Sequence, residues 1–146
     1  MKRINLESKS VRLYSGISSI TTILEKDVRR MWIGTRMGLY QLDKQSGIYQ
    51  YIDLPIESLY ICALCQREDG ILYIGTRGAG LLVYDSNKGK FVHQYRTDNC
   101  ALISDNIYTI LPRQDGKLLM GTENGITIYS PEEHSFRNWT REQGLM

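Results

Sequence analysis

One short phrase occurs three times in this chain, and its spacing restricts what the chain can fold into. The first copy is Met31-Trp32-Ile33-Gly34-Thr35, followed by Arg36-Met37-Gly38-Leu39-Tyr40. The second is Leu72-Tyr73-Ile74-Gly75-Thr76, running through Arg77 and Gly80 into Leu81-Leu82-Val83-Tyr84. The third is Leu119-Met120-Gly121-Thr122, running through Glu123-Asn124-Gly125 into Ile126-Thr127-Ile128-Tyr129. Each copy reads as an apolar strand ending in Gly-Thr, a tight turn closed by glycine, and a second apolar strand. The Gly-Thr glycines stand at 34, 75 and 121, so the period is 41 and then 46 residues. A repeat of that length made only of short strands predicts β-propeller blades.

The segments between the copies complete the unit. Ile17–Leu24, Leu59–Cys65 and Ile107–Leu111 are apolar, β-branched runs that supply a first strand. The ends Ile48-x-x-Tyr51, Val92-x-x-Tyr95 and Phe136-x-x-Trp139 supply a fourth. The expected fold is therefore all-β, an arc of three four-stranded antiparallel blades, with 17–53, 54–96 and 97–140 as the units. Residues 1–16, through Val11-x-x-Tyr14, read as the outer strand of a preceding blade, and 141–146 as a connector to a missing one. Three blades cannot close a ring of four to eight. The chain is then a piece of a longer propeller or a protomer that must assemble, and the former is the working expectation. A β-prism or β-sandwich would accommodate the strands but gives no reason for Gly-Thr at fixed phase.

Composition excludes several function classes. Eighteen Lys and Arg against sixteen Asp and Glu give +2, too near neutral to indicate nucleic acid or an anionic membrane. No apolar run approaches the roughly 20 residues of a transmembrane helix, and no apolar core follows the basic start Met1-Lys2-Arg3. Cys62-Ala63-Leu64-Cys65 has a redox or metal spacing, but it lies within an apolar strand where residues three apart point to opposite faces. Cys62, Cys65 and Cys100 are thus expected to be structural thiols. His93 and His134 lack ligand partners at metal spacing, and Asp69 and Asp115 each precede a turn glycine. No catalytic, cofactor or metal residue is assigned, and the chain is read as a non-enzyme.

These residues resemble the two-component regulator propeller repeat. Trp32–Leu42, Tyr73–Asp85 and Asp105–Tyr129 carry the resemblance, with Asp105-Asn106-Ile107 and Arg113-Gln114-Asp115-Gly116 especially near its pattern. Two features depart from it: Met120 replaces the tryptophan-isoleucine pair, and Glu25–Arg30 lacks an Asp-Gly turn. The resemblance implies the extracytoplasmic sensor region of hybrid histidine kinases of the Bacteroidetes type, commonly glycan-responsive, with the kinase outside this sequence. It implies a periplasmic location within a full-length membrane sensor; expressed as written, the chain would be cytoplasmic.

In a propeller, the turns joining second to third strands open on the same face as the connectors between blades. That places Arg36, Arg77, Glu123 and Asn124, with Asp98 and Asn99, as ligand-binding candidates. Arg36 and Arg77 hold the same position in successive blades, where two guanidinium groups can grip a carboxylate or sugar hydroxyls. The expected partners are neighbouring blades or another protomer and an oligosaccharide or other small ligand, with no nucleic acid and no direct membrane contact. The competing readings are an interaction scaffold and the remnant of a larger sensor gene.

Overall fold

The computed structural model describes residues 2–5, 10–13 and 17–139. Strands β1 (Lys2–Asn5) and β2 (Ser10–Leu13) pair with each other as an antiparallel hairpin. The sequence reading had no strand at 2–5, and Tyr14 of the expected outer-strand motif lies outside the described residues, as does the expected connector 141–146.

Three antiparallel sheets follow in chain order. The first holds β3 (Ile20–Glu25), β4 (Arg30–Thr35), β5 (Gly38–Asp43) and β6 (Tyr49–Ile52). The second holds β7 (Ile61–Gln66), β8 (Ile71–Thr76), β9 (Leu81–Asp85) and β10 (Lys90–Tyr95). The third holds β11 (Ile107–Pro112), β12 (Leu118–Thr122), β13 (Gly125–Ser130) and β14 (Ser135–Trp139). Within each sheet every strand is hydrogen-bonded to the next in sequence, and no helix occurs among the described residues. The inner strand β7 packs against both β3 and β11. Three sheets side by side on their inner strands make this chain an arc of a β-propeller.

Two apolar layers hold the arc together. Between the first and second sheets, Trp32 and Leu39 meet Ile61, Leu72, Ile74, Leu82 and Tyr84. Between the second and third, Tyr73, Leu81 and Val83 meet Ile107, Leu118, Met120 and Tyr129. The Gly-Thr glycines lie where sheets approach most closely. A Cβ on Gly34 would stand 2.6 Å from Ile61 Cγ2, and one on Gly75 would stand 2.9 Å from Ile107 Cγ2 and 3.0 Å from its carbonyl oxygen. Any side chain there would force the sheets apart. Ile61 and Ile107 are register equivalents, facing Thr76 and Thr122 respectively.

The threonine of each pair has a job that the sequence reading missed. Thr35 Oγ1 donates to the Gly38 carbonyl at 2.9 Å and accepts the Met37 N–H at 3.0 Å. Thr76 does the same with Gly80 (2.7 Å) and Ala79 (3.0 Å). Thr122 repeats it with Gly125 (2.8 Å) and Asn124 (3.2 Å). The hydroxyl closes the turn by supplying the polar partners that the backbone would otherwise lack. At Gly80 the φ is +76° and a Cβ would lie 2.0 Å from the Tyr95 carbonyl oxygen, so only glycine fits.

One sequence phase is corrected. The outer strands align through Tyr49, Phe91 and Phe136, which face Leu42, Tyr84 and Tyr129. Ile48 precedes β6, and Val92 sits at a β-bulge between Phe91 and His93. Both are exposed, as is Tyr51, and on β6 the register equivalent of Tyr95 is the buried Ile52, so the apparent x-x spacing mixed a turn residue, a bulge and a solvent-facing tyrosine with true core positions.

Candidate functional site

Arg36 and Arg77 leave the ends of β4 and β8, one position after Gly-Thr. Their main chains are fixed alike: Arg36 N–H donates to the Ser19 carbonyl at 3.2 Å, and Arg77 N–H to the Tyr60 carbonyl at 2.9 Å. Both residues are exposed, and both guanidinium groups lie over one ring. Arg36 Cζ is 5.7 Å and Arg77 Cζ 5.6 Å from the centre of Tyr60. The tyrosine stands just before β7, at the join between sheets, and is approached by arginines from successive blades. Sequence reading found the arginines through their equivalent phase. It missed Tyr60, which becomes their shared platform only once the sheets are stacked.

Arg77 also lines a cleft of about 410 Å³ on this face, between the connector Pro55–Ser58 and the turn Arg77–Ala79, closed by Gln94 and Arg96. Arg96 ties the rim together. It reaches the Gly78 carbonyl at 3.3 Å, Asp105 at 3.4 Å and Asp98 at 3.7 Å. The arrangement can present cationic, planar donors beside an aromatic face to an oxygen-rich ligand.

The other candidates divide differently. Asn99 accepts the Arg96 N–H at 2.8 Å and donates to the Gln94 carbonyl at 2.9 Å, which shapes the connector. Asn124 donates to the Ile103 carbonyl at 3.2 Å, and Glu123 accepts from Asn106. Asp98 is exposed beside Arg96. Arg36 and Arg77 are brought together, whereas Glu123 and Asn124 are engaged at the third sheet's own turn and connector.

On the opposite face, a polar cleft of about 590 Å³ runs between the first two sheets, lined by Lys26, Asp27, Arg30, Gln66 and Arg67 among others. Its floor is a relay that no local motif announced: Trp32 Nε1 donates to Gln66 Oε1 at 2.8 Å, and Gln66 Nε2 to Ser86 Oγ at 3.1 Å. The indole N–H of a buried tryptophan is thereby satisfied across the sheet join. Here Asp27 replaces the missing Asp-Gly turn, accepting the N–H groups of Arg30 (2.7 Å) and Arg29 (2.9 Å), and the Arg30 N–H does most to lower its pKa.

Asp69 and Asp115 close their turns by accepting the N–H groups of Ile71 (3.0 Å) and Lys117 (3.1 Å). All three cysteines are free, and burial pushes each thiol above its ordinary pKa, away from thiolate character. His134 Nδ1 pairs with Tyr95 Oη at 3.1 Å. Among the described residues, no cluster of His, Cys, Asp or Glu is placed to hold a metal ion, and no helix is long and apolar enough to cross a membrane.

Comparison with known proteins bears on this geometry. No family model matches the chain, and no curated protein matches it. Among solved structures, it is similar to the extracellular domain of BT3049 from B. thetaiotaomicron, described as a hybrid two-component system. The TM-score is 0.73 at 21% identity, over 94% of this chain and 20% of that one. It is similar to the streptogramin B lyase structure (TM-score 0.67, 17% identity, 84% of this chain and 41% of that one). It is also similar to the WD40 β-propeller domain of Doa1 (TM-score 0.61, 12% identity, 77% and 36%). The likeness is one of fold, and the chain spans about a fifth of the first protein's length. An extracellular domain of a two-component system and a lyase on one fold leave function to be argued from the site.

Proposed function

We propose that this chain is a non-catalytic recognition arc of a two-component sensor, whose signal is relayed to a kinase outside this sequence. The observation that carries the reading is the pair Arg36 and Arg77, delivered by successive blades onto Tyr60 beside an open cleft. The fold it shares with the extracellular domain of BT3049 supports it. The ligand is an oligosaccharide or other oxygen-rich small molecule, gripped by guanidinium groups and stacked on the tyrosine. Within a full-length membrane sensor the arc is periplasmic.

The test is calorimetric titration of the chain with a panel of neutral and acidic oligosaccharides. A ligand found this way is expected to bind about 10-fold or more weakly to Arg77→Ala, since a charge-assisted contact contributes about 1.5–3 kcal/mol. Tyr60→Leu should weaken it comparably. Unchanged binding by both variants would remove the site, and failure of every saccharide would remove the ligand class.

A further inference from the structure

Four arginines among the described residues stand beside a carboxylate. Arg29 meets Asp43 at 2.8 Å, Arg30 meets Asp27 at 3.0 Å, and Arg113 meets Asp115 at 3.2 Å. Arg96 meets Asp105 at 3.4 Å and Asp98 at 3.7 Å. Arg36 and Arg77 differ: among the described residues neither is ion-paired, although both lie over the Tyr60 ring. The negative face of the ring attracts a guanidinium group but offers it no pair of acceptor oxygens. Two like charges from successive blades thus share one uncharged platform.

Arg77 also lines the cleft beside that platform, where the charge is reversed. Arg96 on the cleft rim is already held by Asp98 and Asp105. Gln94 donates its amide N–H to the Ala79 carbonyl at 2.9 Å, which turns the side-chain oxygen into its remaining acceptor. Glu57 lines the same cleft, exposed and, among the described residues, without an ion pair. The cleft volume of about 410 Å³ is in the range of small-ligand sites. The site therefore has two uncompensated cations at its Tyr60 end and one uncompensated carboxylate on the cleft wall.

We propose, resting on the recognition role proposed above, that the ligand is a saccharide with a single carboxylate. Its uronic acid residue sits at Tyr60 with the carboxylate on Arg36 and Arg77, and neutral sugar residues extend into the cleft beside Glu57. A carboxylate takes charge-assisted bonds from guanidinium groups that a sugar hydroxyl cannot match. Hydroxyls in the cleft donate to Glu57 and to the Gln94 oxygen. A second carboxylate on the ligand would face Glu57, and that like-charge contact selects against a polyacidic chain.

Calorimetric titration of the chain with three disaccharides tests this: neutral cellobiose, an aldobiouronic acid in which one glucuronate joins a neutral sugar, and digalacturonic acid with two carboxylates. The aldobiouronic acid should bind about 10-fold tighter than either of the others. Arg36→Ala and Arg77→Ala should each weaken it about 10-fold, toward the level of cellobiose. Glu57→Gln should raise the affinity for digalacturonic acid about 5-fold relative to the aldobiouronic acid. All three positions are exposed, so circular dichroism should show each variant folded. The preference for the aldobiouronic acid over cellobiose should shrink between about 50 and 500 mM sodium chloride, as screening grows. Equal binding of all three sugars, weakened by Tyr60→Leu, would overturn the charge assignment and leave the recognition site standing. Digalacturonic acid binding as tightly as the aldobiouronic acid would overturn it too, as would an acid preference untouched by both arginine substitutions. Absence of binding by all three at millimolar concentration would remove this assignment together with the saccharide reading.

Discussion

The second and third sheets are the same design in two settings. Both have four strands in sequence order, a Gly-Thr pair at the end of the second strand, and apolar residues on both faces. The second lies between two neighbours and buries both faces. The third buries the face that carries Ile110, Leu118, Met120 and Tyr129 toward the second sheet, while its other face leaves Leu111 and Trp139 exposed and buries Ile128. The difference teaches that burial in this architecture is set by the neighbour rather than by the strand. Leu81 and Ile126 occupy equivalent positions, one wholly buried and the other half-buried, because one has a sheet stacked on it. A repeat unit of this kind cannot bury its own core alone.

The comparison can be broken first at Trp32. This side chain fills the first join and anchors the Gln66–Ser86 relay. Trp32→Ala should cost about 3–5 kcal/mol in urea unfolding, and a cost under about 1 kcal/mol would mean that the first two sheets do not share a core. Next in size, Leu81→Ala should cost about 2–5 kcal/mol. Ile126→Ala should cost less than half as much. Equal losses would erase the distinction between the covered and uncovered faces. Smaller still, Gly75→Ala should cost about 1–3 kcal/mol, since the new methyl meets the Ile107 backbone. Gly121→Ala should cost less, because the only group in its way is a threonine methyl that can rotate.

The smallest effect concerns alkaline pH. Burial pushes the Tyr73 hydroxyl up to about 12, above the ordinary phenol value of 10.0. The folded state thus favours the neutral phenol, so the unfolding midpoint should be level below about pH 10 and fall between pH 10 and 12. Tyr73→Phe should flatten part of that fall, and an identical profile would show that another group carries it.

Much of this was legible in the sequence for one reason: the repeat reports the fold three times over. Three copies in phase located the strands, and the glycine seats at 34 and 75 lie between sheets as their role in close approach requires. What escaped was set by partners distant in the chain. Gln66 lies 34 residues from Trp32, and Tyr60 belongs to neither arginine's turn. The outer-strand phase escaped for a local reason. Ile48 and Val92 are apolar but exposed, and periodicity cannot tell a turn residue or a bulge from a core position. Asp27 shows the reverse case, in which a turn without glycine is closed by a carboxylate accepting two backbone N–H groups.

The central claim is that successive sheets stack through a glycine seat and the isoleucine of the next inner strand. A double-mutant cycle on Gly34 and Ile61 tests it most directly. The account predicts that Gly34→Ala destabilises the wild-type chain yet costs at least about 1 kcal/mol less in the Ile61→Ala background, where the colliding Ile61 Cγ2 is gone and only Thr22 Cγ2 of the same sheet, 2.7 Å away, still stands in the way. Strict additivity of the two substitutions would contradict it, because the first and second sheets would then not meet at this pair.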